Sequence, residues 1–134
     1  MNEEQNPEIR PAGRVLAADS DDRILLIRVE DPSISEPGLW LTPGGACEGA
    51  EMSREAAMRE LFEETGIRVA QLGPCVWRRR HVWKWGDRMI DSREDYYFLR
   101  IDRPALIRPV ETSRLELQVI REYRWWTAAE LRAG

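Results

Sequence analysis

Three observations predict a mixed α/β fold for this 134-residue chain. Strand-like runs lie on both sides of one long helical stretch, within Gly44–Ile67. A second, shorter helical stretch closes the chain. The unbroken apolar run Ile24-Leu25-Leu26-Ile27 suits a strand covered on both faces. Together they imply a mixed β-sheet with helices packed on its faces.

Each element follows from local chemistry. Met1 to Pro11 is polar and carries two prolines, so residues 1–12 are expected as a flexible tail and 13–134 as a single domain. Arg14–Ala18 and Arg23–Val29 are strand-like, and Asp19-Ser20-Asp21-Asp22 between them predicts a hairpin turn. Asp31–Pro37 is a loop with prolines near both ends. Trp40-Leu41 makes a short strand into Pro43 and the glycines. Ile67–Leu72 and Cys75–Trp85 read as strands, Gly86-Asp87 as a turn, and Tyr96–Ile101 as the returning strand. Pro104–Pro109 is a connector, and Arg114–Arg121 is readable as helix or strand. Tyr123–Trp126 is a short strand, and Thr127 is the expected N-cap of a helix over Ala128–Arg132.

Length and composition narrow the function. The chain is long enough for one real core. A formal charge of −4 argues against a nucleic-acid scaffold, which usually shows a basic field, but leaves a nucleotide substrate open. Cys47 and Cys75 have neither metal-ligand spacing nor a disulfide framework, so free thiols in a reducing cytoplasm are expected. No apolar run reaches membrane-spanning length, and no signal-peptide pattern opens the chain.

The stretch GGACEGAEMSREAAMRELFEETGI holds the chemistry. A helical residue advances about 100° around the axis, so Glu63 and Glu64 flank Glu60 and three carboxylates share one face. Small Ser53 and Ala56 lie upstream on that face. Ala57, Met58, Leu61 and Phe62 form the apolar face expected to be buried. Like charges at this spacing repel unless a cation neutralises them. Carboxylate clusters suit hard ions such as Mg²⁺ or Mn²⁺; the plainer reading is a solvated acidic face. The glycines leading into the helix favour the ion. So does Arg59, which can grip a carboxylate at two points.

Gly45, five residues, Glu51, seven residues, Arg59-Glu60-Leu61, one residue, Glu63-Glu64, one residue, Gly66-Ile67 resembles the complete Nudix box, with every defined position filled. Gly38-Leu39-Trp40 with Pro43-Gly44-Gly45 is similar to the family's approach to the box. Arg124-Trp125-Trp126 with Glu130-Leu131 resembles its C-terminal end.

The resemblance implies an α/β/α sandwich and a Nudix-type pyrophosphohydrolase. It implies Glu60 and Glu64 as main metal ligands, Glu63 divided between ligand and base, and the Gly44 carbonyl as a backbone ligand. Glu51 and Arg59 would hold the glutamates in position. Divalent metal neutralises the pyrophosphate oxygens, acidifies a bound water and aligns its attack. The general base comes from the box or from a later glutamate; Glu116 stands first, with Glu122 close behind and Glu94 weaker.

Recognition is less explicit. Alternation places Cys75, Trp77, Arg79, His81, Trp83 and Trp85 on one strand face, with Val76, Arg78, Arg80, Val82 and Lys84 on the other. Trp77, Arg79 and His81 are candidates for stacking a base and pairing with phosphates, against a reading as aromatic packing with snorkelling arginines. The expected substrate is a nucleoside diphosphate linked to another moiety. No membrane or stable nucleic-acid complex is expected, and a homodimer is left open. The alternative function is a nucleotide-sensing module that binds without turnover; a lost box carboxylate would favour it, and none is lost. An isoprenoid diphosphate isomerase would want a further catalytic cysteine, and neither cysteine has a motif for it.

Overall fold

The computed structural model describes residues 6–30, 38–102, 107 and 120–133. Its strands are β1 (Glu8–Asp19), β2 (Ile24–Val29), β3 (Leu39–Leu41), β4 (Gly44–Ala46), β5 (Cys75–Trp85), β6 (Arg88–Ile101) and β7 (Ile120–Trp126). Among the described residues the helices are α1 (Ser53–Thr65) and α2 (Ala128–Ala133). The strands form one sheet in the order β3-β2-β1-β6-β5, with β4 paired to β1 and β7 to β2. β1 and β6 run parallel and the other pairs antiparallel, so the sheet is mixed, as the sequence predicts.

Part of the expected tail is strand. Glu8–Ala12 belong to β1, because β6 begins at Arg88 and offers them a backbone ladder from Glu8↔Ile90 onward. Pairing of that kind needs no apolar side chain. Pro11, which has no N–H to donate, accepts from the Cys47 amide at 2.9 Å. The expected hairpin forms: Asp19 Oδ1 accepts the Asp21 and Arg23 amides at 3.0 and 2.8 Å, and Asp22 turns the chain at φ 58°. In the apolar run of β2, Leu25 and Ile27 are buried while Leu26 lines an open cleft, so the strand is not fully covered on both faces.

Ile67–Leu72 is not a strand. Ile67, Val69 and Leu72 pack on the core instead, which accounts for their apolar pattern without a ladder. Thr127 does cap α2, accepting the Glu130 amide at 3.1 Å while Glu130 accepts the Thr127 amide at 2.8 Å. The connector over 104–109 and the ambiguous 114–121 stretch lie almost wholly outside the described residues, as do the loop at 31–37 and Glu116.

α1 covers one sheet face. It comes so close to β1 that a Cβ on Gly13 would sit 1.8 Å from the Ser53 carbonyl oxygen. Leu61 and Ala57 join Val15, Ala17, Leu25, Leu72 and Tyr97 in the core, and Gly66 ends the helix at φ 79°. The buried helix residues are Ala56, Ala57, Glu60, Leu61 and Thr65. Phe62 is only half-buried, with the Arg68 guanidinium 4.2 Å above its ring. The buried face is therefore rotated from the expected one, and it takes Glu60 inward. No helix among the described residues is long and apolar enough to cross a membrane.

Candidate active site

Residues of β1 alternate between two sides. Val15 and Ala17 face the core under α1, whereas Ala12, Arg14 and Leu16 face an open cleft. The cleft has two compartments, of about 700 and 440 Å³, which share Arg14, Trp83, Ser92 and Glu94.

The inner compartment contains Gly44, Gly45, Glu60 and Glu64. Glu60 is buried, and its carboxylate lies where a Cβ on Gly45 would fall, 2.8 Å from its Cδ. Glycine at 45 is therefore a condition for that carboxylate's position. The Gly44 amide donates to Glu64 Oε1 at 2.9 Å. Burial, with the Glu60 carboxylate alongside and hydrogen-bonded to it, holds Glu64 well above the ordinary carboxylate range. Behind Glu64, the Tyr123 hydroxyl donates to its main-chain carbonyl; burial and then the Glu64 charge push that phenol up.

Arg59 organises the surroundings. Its Nε and Nη2 grip the two oxygens of Glu51 at 2.9 and 3.0 Å. Nη1 donates to Glu60 Oε1 at 2.8 Å and to Glu63 Oε1 at 2.9 Å, and Nη2 reaches the Ala46 carbonyl at 3.1 Å. The Arg59 hydrogen bonds hold Glu51 below its usual value despite burial. Glu51 Oε1 also accepts the Glu48 amide at 3.0 Å, bracing the loop before the helix. Arg59 thus contacts Glu51, Glu60 and Glu63, the carboxylates that it and Glu51 are expected to position. Cys47 also lines the compartment, but burial and the Glu51 charge push its thiol up, away from the reactive thiolate.

The donor set partly fits a hard divalent ion. Glu60, buried, and Glu64, half-buried, form a close like-charge pair beside two glycines, an arrangement that a cation or a shared proton would neutralise. Among the described residues, however, no three His, Cys, Asp or Glu side chains converge as a metal-holding group. Glu63 is turned to Arg59 instead, and the Gly44 amide donates to Glu64.

Glu122 sits on β7, about half exposed and paired with Arg28 at 3.1 Å, and does not line either compartment. Glu94, placed last among the base candidates, is buried on the wall common to both compartments. Its Oε2 accepts Arg14 Nε at 2.7 Å, while Arg14 Nη1 donates to the Thr42 carbonyl at 2.8 Å. Arg14 was absent from the sequence candidates; the period-two pattern Ser92, Glu94, Tyr96 of a longer β6 was the signal available.

Trp77, Arg79, His81 and Trp83 line the outer compartment together, as alternation predicts. Arg78 and Arg80 turn the other way: Arg80 grips Asp91 through two bonds of 2.9 Å, and Arg78 pairs with Asp95 at 3.3 Å. Cys75 departs from the prediction. A register shift between Cys75 and Trp77 places Cys75 opposite Tyr97 and against the core, while Trp77 lies opposite Tyr96 in the cleft.

Comparison with known proteins identifies the family. The family model described as NUDIX domain matches residues 8–134. The bovine m7GpppN-mRNA hydrolase NUDT17 is 33% identical over 84 residues, covering 58% of this chain and 28% of the relative. Nudix hydrolase 25 of Arabidopsis thaliana is 36% identical over 66 residues, 49% of this chain and 35% of the relative. The chain thus spans little more than a third of these relatives at most. Among solved structures, the MutT protein of Methanosarcina mazei superposes with a TM-score of 0.70 at 19% identity, over 97% of this chain and 84% of that one. The NUDIX domain of Shewanella oneidensis NrtR, complexed with ADP ribose, gives 0.68 at 14% identity, over 99% and 82%. At these identities the structures establish the fold alone. The family model and the filled box establish more: the chain belongs to the Nudix hydrolase family.

Proposed function

We propose that this chain is a divalent-metal-dependent hydrolase that cleaves the pyrophosphate linkage of a nucleoside diphosphate joined to another moiety. The observation that carries the reading is the close Glu60–Glu64 pair, set against Gly44 and Gly45 at the end of an open cleft. Glu60 and Glu64 would hold Mg²⁺ or Mn²⁺, with Glu63 joining them on release from Arg59. When bound, such an ion neutralises pyrophosphate oxygens and acidifies a coordinated water. Arg59 keeps Glu60 in place through the bond at 2.8 Å and fixes the loop through Glu51. Arg14, on the wall between the compartments, offers a cation to a substrate phosphate. Glu63 and Glu116 remain the proposed bases, and Trp77, Arg79 and His81 the proposed substrate contacts.

The names of the similar proteins support the substrate class, since an m7GpppN-mRNA hydrolase and a domain complexed with ADP ribose both handle nucleosides joined to a second moiety through a chain of phosphates. A screen of nucleoside diphosphate derivatives with Mg²⁺ and Mn²⁺, following phosphate, pyrophosphate and monophosphate release, tests it. Glu64→Gln should fold and lose turnover by orders of magnitude. Undiminished activity in that variant, or no release from any derivative by the wild type, overturns the reading.

A further inference from the structure

The inner compartment is longer than a metal site requires. Its volume of about 700 Å³ is in the range of clefts that hold whole small molecules. Glu60 and Glu64 occupy one end, and the wall continues along the first half of β1 to the turn between β5 and β6. This extension exists because Glu8–Ala12 pair with Ile90–Glu94. Arg10, Trp85 and Arg88 line it.

Two guanidiniums gather on the Trp85 ring there. Cζ of Arg10 and Cζ of Arg88 each lie 5.9 Å from its centroid, within cation–π range. Arg88 is also ion-paired with Glu8, which by itself joins β1 to the hairpin. Arg10 is different. The other arginines of this lining, Arg14 and Arg88, are taken by Glu94 and Glu8, whereas Arg10 has no carboxylate partner among the described residues. A guanidinium stacked on an indole keeps its N–H groups in the plane of the fork, where they can grip a phosphate. In a chain of net charge −4, an arginine left unpaired on a cleft wall points to an anion supplied from outside.

Position fixes what that anion belongs to. Gly44 lies opposite Arg14, and Arg10 is four residues along the same strand, about 13 Å away. Trp85, opposite Arg88, lies beyond the Glu8–Ile90 pair and draws the Arg10 side chain further from Gly44. A diphosphate held at Glu60 and Glu64 does not extend that far. A phosphate one sugar or nucleoside beyond it does.

We propose that Arg10 binds a phosphate carried by the second moiety of the substrate, one sugar or nucleoside removed from the diphosphate that is cut. Trp85 is the positioning residue for the guanidinium, and Arg88 with Glu8 fixes Trp85. The inference rests on the hydrolase reading and narrows its substrate class, because the second moiety is then itself phosphorylated. Such a phosphate belongs either to a small phosphorylated metabolite or to the 5′ end of an oligonucleotide.

Adenosine 5′-monophosphate and adenosine 3′,5′-bisphosphate test this without turnover, since neither holds an anhydride bond. Both offer a 5′-phosphate to the carboxylate end in the presence of Mg²⁺, and only the second carries another phosphate across the ribose. Calorimetry should find the bisphosphate bound about tenfold or more tighter by the wild type, the effect of one charge-assisted contact. That ratio should shrink as KCl is raised. Arg10→Gln and Trp85→Leu should each bring the ratio close to one, and Arg10→Lys should keep part of it. The dinucleotide pApA separates the two sources. Binding as tight as the bisphosphate marks an oligonucleotide end, and binding no tighter than the monophosphate marks a small phosphorylated moiety. Equal binding of the two adenosine probes by the wild type, or a ratio unchanged in both Arg10→Gln and Trp85→Leu, overturns the assignment. A ratio that persists in a chain hydrolysing no derivative removes the hydrolase reading and leaves the anion site standing. Hydrolysis without any such ratio does the reverse.

Discussion

Arg59→Lys isolates the structural claim on which the site depends most. The guanidinium makes five hydrogen bonds: two to Glu51, one each to Glu60 and Glu63, and one to the Ala46 carbonyl. An ammonium has three donors and no planar fork, so at least two of the five are lost and the two-point grip on Glu51 cannot be remade. Hydrogen bonds to charged groups contribute about 1.5–3 kcal/mol each, and bonds sharing one donor group do not add fully. With the Arg59 side chain 22% exposed, a net loss of about 2–4 kcal/mol of stability follows. Loosening Glu60 should also cost roughly 10–100-fold in metal affinity or activity. Urea unfolding reads the first quantity; Mn²⁺ titration and kcat/KM on the substrate found by the screen read the second. A purely structural arginine would lower stability and leave metal affinity alone. Retention of both metal affinity and kcat/KM within about twofold would show that Arg59 does not position the carboxylates.

Three further outcomes are expected. Gly45→Ala should fold normally but lose about tenfold or more in activity, because its Cβ meets only the end of the Glu60 side chain; Gly13→Ala, whose Cβ meets the Ser53 backbone at 1.8 Å, should instead fail in thermal unfolding. Arg79→Ala should raise KM with a smaller change in kcat, while Arg78→Ala and Arg80→Ala, ion-paired on the opposite face, leave KM nearly unchanged in steady-state assays. Glu51 is held below its ordinary value of 4.5 by Arg59, so the unfolded chain binds the extra proton; the stability it contributes is present above pH 4.5 and disappears on acidification. Unfolding of the wild type and Glu51→Gln over that range should show a shallower acid dependence in the variant.

Features specified within a few residues were legible in the sequence. The Asp19–Asp22 turn and the Thr127 cap are both local, and each formed where expected. Features that depend on a distant partner were not. The first half of β1 looks like a polar tail until β6 is placed beside it, with Glu8 opposite Ile90. Arg14 and Glu94 are unremarkable charges in the sequence because their bond spans 80 positions. Ile67–Leu72 shows the reverse error, an apolar pattern that packing satisfies without strand pairing.

The acidic helix face shows where reading a helical wheel stops. The wheel places Glu60, Glu63 and Glu64 together, but it cannot say how the helix is rotated against its support. That rotation is set by two glycines outside the helix. Gly13 lets the Ser53 turn seat directly on β1, and Gly45 leaves room for the Glu60 carboxylate. The result divides the three glutamates: Glu60 and Glu64 turn into the cleft as a close pair, and Glu63 goes to Arg59. Repulsion within that pair is therefore concentrated on two groups that the fold cannot move apart. Arg59 relieves only the Glu60 side of it, through one oxygen at 2.8 Å. Burial first, and then the Glu60 charge, displace Glu64 upward, and on the proposed reading a cation held between the two carboxylates would offset both.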